Sequence, residues 1–405
     1  MAHTHDDVPL DALGQPLLAH THTHDGSTHT HVRAVPAAED TGLAPARLHL
    51  RGTVLPAGEV RDVWVVDGRL TFEPVADALT VATDCWIMPG LVDAHCHIGM
   101  GPHGPTDAAD VERQAITDRD AGTLLARSPG VPTDTRWVDD REDLPRLIRA
   151  GRHIARPKRY IRNLAEEVEP DELVDEIRTQ ARAGDGWVKL VGDWIDRGAG
   201  DLRPLWPADV AREAIAAAHE EGARVTAHCF EEQSVTELVE AGIDGIEHGT
   251  GLDDATIALM AERGVSLVPT LVNIETFPKI AAAGEGKFPV YAAHMRALHE
   301  RRFETIGKAV DAGVPVYAGT DAGTTIPHGI LPDEVELLAR VGGAEFALGA
   351  ASWDAREWLG AEGVSEGASA DLVVFDADPR VHLGVLREPR VIILRGRVVG
   401  GAASG

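Results

Sequence analysis

Six side chains of types that bind metal ions or move protons stand at the ends of apolar segments. They are His95, His97, Lys189, His228, His248 and Asp321. In a β-strand, residues i and i+2 point to the same side, so His95 and His97 would aim at one point. Two imidazoles that converge from one strand can bind one metal ion. Together with the other four groups they supply what two divalent ions and a bridging hydroxide need.

Each of these residues also has an ordinary structural interpretation. A histidine at a strand end can be a hydrogen-bonded core residue, a lysine can extend its amine to solvent, and an aspartate can cap a helix. Lys189, however, lies in the apolar segment 187–190. Burial lowers the pKa of a lysine and makes its neutral amine available for covalent chemistry. The ordered series of such groups along one chain therefore favours a metal site.

A scaffold of alternating strands and helices is expected to position these residues. Apolar strand patterns occupy 87–97, 123–128, 187–192, 223–230, 245–249, 265–272 and 315–323, with a less defined third strand within 153–164. Helical patterns fill 207–223 and 253–264, and each ends at a glycine. Eight strand–helix units over residues 87–364 predict an α/β fold of the (β/α)8 TIM-barrel type, whose catalytic groups lie at the C-terminal strand ends. A doubly wound sheet is the alternative, although no Gly-rich phosphate fingerprint follows the first strand.

The two ends of the chain carry further β patterns. Residues 42–86 and 365–405 contain short strand patterns with similar fragments at 50–55 and 394–399. Neither piece can bury its apolar face alone, so we expect one small β-sandwich domain built from both ends.

Residues 1–41 hold seven of the 19 histidines and almost no apolar periodicity, which predicts a His-rich mobile tail. Its alternating His and Thr residues would bind a metal ion only weakly if the segment is extended. An inert extension or an added tag is the favoured interpretation, because nothing in the segment imposes a coordination geometry.

The composition excludes several classes of partner. The chain has 38 Lys+Arg against 65 Asp+Glu, a net charge of −27, which argues against non-specific binding to nucleic acid or anionic membranes. No segment approaches the roughly 18 consecutive apolar residues of a membrane span, and the N-terminus lacks secretory-signal features. Three widely spaced cysteines form no disulfide framework, so we expect a cytoplasmic protein. The expected partner is a small-molecule substrate; the oligomeric state stays open, and a homo-oligomer is one option.

The segments PGLVDAHCH, AHCF, GIDGIEHGTGL and GTDAG, together with the strand of Lys189, resemble the amidohydrolase superfamily. The similarity covers most of residues 47–400 and points to the imidazolonepropionase-like and Xaa-Pro-dipeptidase-like branch. The resemblance implies three ligand groups: His95, His97 and Asp321 for the more buried metal ion, His228 and His248 for the second ion, and Lys189, carboxylated by carbon dioxide, as the bridge between them. Zinc is the leading metal, and manganese and iron are the alternatives.

The chemistry that follows is hydrolysis. Two ions lower the pKa of a bridging water, so that hydroxide exists near neutral pH, while Asp321 takes its proton and returns it to the leaving group. We expect cleavage of an amide, cyclic amide or related C–N bond, and consider an ester or carbamate less favoured. Residues 191–197 after Lys189 depart from the Gly-rich stretch common in the family, so the resemblance does not extend to a dipeptidase assignment.

Two other functions remain open. In the first, Lys189 is only structural and the protein is a mononuclear deaminase or imidazolone-type hydrolase. In the second, the barrel is a non-catalytic scaffold that binds metal. The complete set of expected ligands argues against the non-catalytic scaffold, because a site that has lost its catalytic function usually lacks some of its ligands.

Substrate contacts are expected from residues next to the strand ends. Trp194 and Phe230 would form pocket walls that suit an apolar or aromatic group. His328, on the loop after the last strand, is a candidate catalytic or substrate-binding residue that orients a carbonyl or leaving group, with a surface histidine as the equal alternative. Arg127 and Arg197 could hold a substrate carboxylate, but an ordinary surface or helix-facing charge is the favoured interpretation.

Overall fold

The structure is a computed structural model that describes residues 19–24, 27–32 and 47–401. The chain divides into two compact units, residues 1–44 and 45–405. In the first unit, strands β1 (Ala19–His24) and β2 (Ser27–Val32) pair antiparallel. The other residues of the predicted tail 1–41 lie outside the described part, so its mobility stays a prediction.

The described residues of the second unit, 47–401, form strands β3 to β22 and ten α-helices. The strands are β3 Leu48–Val54, β4 Glu59–Val66, β5 Arg69–Thr71, β6 Leu79–Pro89, β7 Leu91–Asp93, β8 Met100–Gly101, β9 Gly104–Pro105, β10 Thr123–Ser128, β11 Arg146–Arg149, β12 His153–Ala155, β13 Ala165–Glu167, β14 Trp187–Val191, β15 Asp193–Asp196, β16 Asp201–Pro204, β17 Arg224–Cys229, β18 Gly245–His248, β19 Ser266–Val268, β20 Leu372–Phe375, β21 Val391–Leu394 and β22 Arg397–Gly400.

The helices of this unit lie mainly between its parallel strands. They are α1 Ala108–Asp120, α2 Leu173–Ala183, α3 Ala208–Glu220, α4 Glu232–Ala241, α5 Asp254–Arg263, α6 Leu271–Ile274, α7 Phe277–Gly284, α8 Pro289–Asp311, α9 Leu331–Ala350 and α10 Trp353–Trp358. Helices α3 and α5 lie within the segments for which the sequence predicts helices. Among the residues that the structure describes, no helix is long and apolar enough to cross a membrane.

Parallel strands form the centre of this α/β fold, which confirms the predicted class. One sheet has the order β13-β12-β14-β17-β18-β19, and another has the order β11-β10-β7. All residues of β14 and β18 are buried, as expected for strands covered on both faces. Residues 315–323, predicted as a strand, make only isolated parallel bridges in the structure, at Val316 and Ala322.

The sequence predicts a third strand within 153–164. Only β12 lies in that range, and the other of two short pieces, β11, precedes it. β11 pairs with β10 and β12 pairs with β14, so one stretch of chain passes from one sheet to the other. Gly151, with φ +68°, lies in the turn between the pieces, and this left-handed conformation favours glycine. The interruption explains why the sequence shows no continuous strand pattern here.

Both ends of the second unit contribute to one seven-stranded sheet of order β22-β21-β20-β6-β3-β4-β5. β6 pairs antiparallel with β20 and parallel with β3, which joins the two chain ends. A separate apolar cluster that includes Leu50, Val63, Ile87 and Ile393 packs on this sheet. The described strands form a single sheet here, and the two-layered sandwich stays a prediction.

Candidate active site

The first group of predicted ligands meets where the chain after β7 runs beside residues 318–322. The Nε2 atoms of His95 and His97 each lie 3.0 Å from Asp321 Oδ1, and they lie 3.2 Å from each other. Both imidazoles are almost completely buried. The Asp321 backbone N–H donates to the His95 carbonyl over 2.8 Å. The structure therefore brings these three side chains together, as the sequence predicts.

Glycines allow this close approach of the two segments. A Cβ atom at Gly319 would lie 2.7 Å from the His95 Cβ, and one at Gly323 would lie 2.8 Å from the His97 Cβ. Asp321 between them has φ +59°, a left-handed conformation that residues other than glycine rarely adopt. Backbone strain of this kind clusters at functional sites, where surrounding structure holds it in place.

The second group consists of two histidines at the ends of β17 and β18. His228 Nδ1 lies 3.0 Å from His248 Nε2, and His248 Nδ1 lies 2.7 Å from the Thr270 hydroxyl. Burial lowers the pKa of His228 to about 3 and holds the pKa of His248 well below its usual value. Both rings are therefore neutral, which is the form that binds metal. Ligand atoms of His248, His95 and Asp321 all lie within 4.8 Å of one another, so the two groups adjoin.

Lys189 of β14 lies in the same cavity with its amine buried. Its Nζ atom has no hydrogen-bond partner among the described residues, and the nearest carboxylate oxygen, Glu247 Oε1, is 4.0 Å away. Burial lowers the pKa of Lys189 to about 8. An unpartnered buried amine is costly unless another group satisfies it. This orphaned nitrogen, four imidazoles and a carboxylate fit divalent ions of the zinc type.

Glu247 is a buried functional residue that the sequence analysis missed. One of its carboxylate oxygens accepts hydrogen bonds from Arg127 (2.7 Å) and Thr226 (2.5 Å), and the other lies 2.6 Å from His95 Nδ1. Burial opposes ionisation, but Arg127, Lys189 and His95 hold the pKa of Glu247 well below its usual value. The carboxylate therefore accepts the His95 Nδ1 proton and leaves Nε2 to face Asp321. Arg127 forms a buried ion pair with Glu247 and does not line the cavity, so it is not a substrate contact.

Asn273 of α6 is a second residue that the sequence did not indicate. Its side-chain amide donates to Asp321 Oδ2 over 2.7 Å, opposite the oxygen that faces the histidines. The buried Glu334 carboxylate accepts the backbone N–H groups of Leu271 (2.9 Å) and Val272 (2.8 Å), which fixes the start of the same helix. The turn after β19 thus supports both ligand groups, Asp321 through Asn273 and His248 through Thr270.

These groups open into a cavity of about 480 Å³ with an aromatic wall. Trp194 and Phe230, the predicted wall residues, both line it, together with Tyr160 and Tyr291. The Phe230 and Trp194 rings lie 4.3 Å and 5.7 Å from the His228 ring, centroid to centroid. Such a lining suits an apolar or aromatic part of a small molecule.

His328 requires a correction, because the structure does not bring it to the cavity. Its Nδ1 atom lies 2.8 Å from Asp118 Oδ2, and the neighbouring Gly329 N–H donates to Asp118 Oδ1 over 2.7 Å. Cys96 Sγ, on the side of its strand opposite the ligands, lies 3.7 Å from the same nitrogen. His328 therefore anchors its loop to α1, and it does not line the cavity in which a catalytic or substrate-binding role is predicted for it. Arg197 is also absent from the cavity lining that the structure describes.

An α/β fold with histidines, a lysine and an aspartate gathered at its strand ends is the architecture of a metal-dependent hydrolase. The chain belongs to the amidohydrolase family, whose model matches residues 86–401. The matched range includes all six predicted ligands. Membership makes the protein a hydrolase of carbon–nitrogen bonds.

Individual relatives agree with this assignment. An uncharacterized protein of Mycobacterium tuberculosis is 58% identical over 356 residues, which are 87% of this chain and 96% of the relative. An imidazolonepropionase of Mycolicibacterium smegmatis is 26% identical over 390 residues, 81% of this chain and 88% of that protein. The crystal structure of a putative prolidase from Bifidobacterium longum matches with a TM-score of 0.74 and 25% identity, over 88% of this chain and 95% of that one. The resemblance to this branch of the family is therefore confirmed.

Proposed function

We propose that this protein is a binuclear metal-dependent hydrolase that cleaves an amide, a cyclic amide or a related C–N bond. The observation that carries this proposal is the buried Lys189 amine, which has no described partner and lies in one cavity with two adjoining groups of metal-binding atoms. The proposed ligands are His95, His97 and Asp321 for one ion, His228 and His248 for the other, and Lys189, as a carbamate, for both.

The metal ions and the side chains around them would each have a distinct role in hydrolysis. Two divalent ions, when bound, would polarise the substrate carbonyl and make hydroxide available near neutral pH. Glu247 and the Gly130 carbonyl accept the Nδ1 protons of His95 and His97, over 2.6 Å and 3.0 Å, so that both Nε2 atoms face the site. Asp321 takes the proton of the attacking water and returns it to the leaving nitrogen.

For the scaffold we propose a TIM barrel over residues 87–364. In support, the Ala94 N–H donates to the Ala318 carbonyl over 2.8 Å, and Leu267 forms a parallel bridge with Val316, so residues 316–318 connect β19 with the chain after β7. The composite domain of residues 42–86 and 365–405 and the tail of residues 1–41 complete the proposed organisation.

Zinc is the proposed metal, because imidazole and carboxylate groups suit it. A cytoplasmic location and a small-molecule substrate belong to the same proposal. All three cysteines of the chain are free and buried, as is usual in a reducing compartment.

The decisive experiment is a hydrolysis screen of N-acyl amino acids, dipeptides and cyclic amides with protein of measured metal content. We expect turnover of at least one class and a loss of about 10²- to 10⁴-fold in Asp321→Asn protein that retains its metal. Asp311→Asn, at an exposed position on α8, is the control. Near-normal turnover of metal-bound Asp321→Asn would exclude its role as base, and ammonia release by a one-metal protein would favour the mononuclear deaminase.

A further inference from the structure

We propose that Arg162 selects substrates with a free carboxylate. The substrate class is then an amide that carries a carboxylate and an aromatic or bulky apolar group. This inference rests on the proposed function, because it concerns the same cavity, and it adds the charge and shape of the molecule that enters.

The charge of the cavity differs from that of the whole chain. The chain carries a net charge of −27, yet Asp321 is the only carboxylate among the described residues that line the cavity. Asp321 and Lys189 belong to the proposed metal site. Arg162 is then the described lining residue that keeps a permanent charge for the substrate. A lining of this kind favours an anion over a cation.

Arg162 lies on the loop between β12 and β13, and this loop forms one wall of the cavity. Tyr160, Ile161 and Leu164 of the same loop also line it. Arg162 therefore lies beside an apolar part of the cavity lining. A substrate that meets this wall would place an apolar group and a charged group close together.

The other arginines near this loop are paired, and Arg162 is not. Arg156 Nη2 lies 3.0 Å from Glu169 Oε2, and Arg159 Nη1 lies 2.7 Å from Asp196 Oδ2. Among the residues that the structure describes, none places a carboxylate within 4.0 Å of the exposed Arg162. In a chain with 65 acidic and 38 basic residues, an arginine without an acidic partner at a cavity stands out. A guanidinium group binds a carboxylate in a bidentate manner, which gives it both affinity and orientation.

The aromatic side chains indicate where the apolar part of the substrate lies. The Tyr160 ring, two residues before Arg162, packs edge to face on Trp194 with centroids 4.9 Å apart. Trp194 and Phe230 in turn flank His228 of the second ligand pair. The aromatic wall thus runs from the arginine loop to the proposed metal site. An N-acyl amino acid with an aromatic group has the required combination of groups.

The test uses two substrates that differ only in charge, an N-acyl aromatic amino acid and the same compound with its carboxylate converted to a carboxamide. We expect the wild-type protein to prefer the carboxylate in kcat/KM by about 10-fold or more. Arg162→Gln should lower kcat/KM for the carboxylate about 10- to 100-fold and leave the carboxamide unchanged. Arg162→Lys should retain part of the preference. Arg197→Gln is the matched control, because Arg197 is also exposed but does not line the cavity.

A parallel drop for both substrates, or an unchanged ratio in Arg162→Gln, would overturn the role of Arg162 while leaving the hydrolase intact. If neither compound nor any member of the screen is hydrolysed, the proposed function fails instead. Binding of phenylpropanoate, which has no scissile bond, still decides the inference in that case. Calorimetry should show about 10-fold weaker binding to Arg162→Gln than to wild type, and equal affinities would contradict the proposal.

Discussion

His95 Nδ1 and Glu247 Oε2 lie 2.6 Å apart beneath the cavity, where both side chains are buried. Arg127 donates to the other Glu247 oxygen over 2.7 Å, and its guanidinium carbon lies 4.6 Å from the centre of the Trp187 ring. Arg127 therefore holds the Glu247 carboxylate in place, and the carboxylate in turn orients the His95 ring. Support of this kind commonly sets the affinity of a metal site.

Glu247→Gln should weaken metal binding about 10- to 100-fold, because the amide accepts the His95 proton less strongly than the carboxylate does. Competition with a chromogenic chelator measures the affinity. Glu262→Gln, on the exposed part of α5, is the control. The variant should also unfold more easily, by about 3–5 kcal/mol, since Arg127 loses its buried counterion. Unchanged metal affinity would show that Glu247 stabilises the fold only.

Asn273→Ala should lower kcat about 10-fold or more and leave the metal content unchanged, because it removes the amide that holds Asp321 Oδ2. Asn273→Asp should be worse, since two carboxylates would then face each other. Steady-state kinetics on protein of measured metal content makes the comparison. Gln233→Ala, an exposed amide on α4, should behave as wild type. A change in KM alone would mean that Asn273 contacts substrate rather than Asp321.

Alkaline pH should weaken the contact between α8 and its neighbours through His294. Its Nδ1 atom lies 3.0 Å from Asp201 Oδ1, and its Nε2 atom lies 3.0 Å from Glu232 Oε2. The hydrogen bond to Glu232 is the main reason that the pKa of His294 rises to about 9. A raised histidine pKa contributes stability that is complete below about pH 6.5 and is lost as the pH rises through about 9.

Melting temperatures of wild type and His294→Gln at about pH 6 and about pH 10 test this linkage. Wild type should lose about 2–4 °C more than the variant across that range. Identical losses would show that the pair is not coupled to folding. Because α8 carries Tyr291 and the β15–β16 hairpin carries Trp194, the same contact joins two parts of the cavity wall.

Much of the scaffold could be predicted because its strands are short, apolar and ended by polar residues. The predicted strand 123–128 matches β10, and the predicted strand 187–192 ends one residue beyond β14. The segment 315–323 was predicted as a strand from its apolar character, yet its two glycines serve close contact with His95 and His97 rather than regular pairing. Local pattern cannot reveal such a contact, because it depends on a segment more than 200 residues away.

The ligand positions could be predicted from strand ends, whereas their supports could not. Glu247 directly precedes His248, and strand alternation alone would place the two side chains on opposite sides of β18. His248 has φ +67°, which breaks that alternation, and Glu247 meets Arg127 and His95 only in the folded chain. His328 shows the reverse error. Its closeness in sequence to Asp321 suggested the cavity, but Asp118 of α1 holds it elsewhere. Arg162 carries no local signal, because loops between strands show no periodicity.

Metal content per chain, measured for wild type and Lys189→Ala, tests the binuclear site most directly. Lys287→Ala, outside the described cavity lining, is the control for loss of a lysine. We predict about two equivalents of zinc in wild type and in the control, and at most one in Lys189→Ala. Bicarbonate should promote uptake by wild type and the control but not by Lys189→Ala. One equivalent in wild type, or two in folded Lys189→Ala, would contradict a bridging role for Lys189.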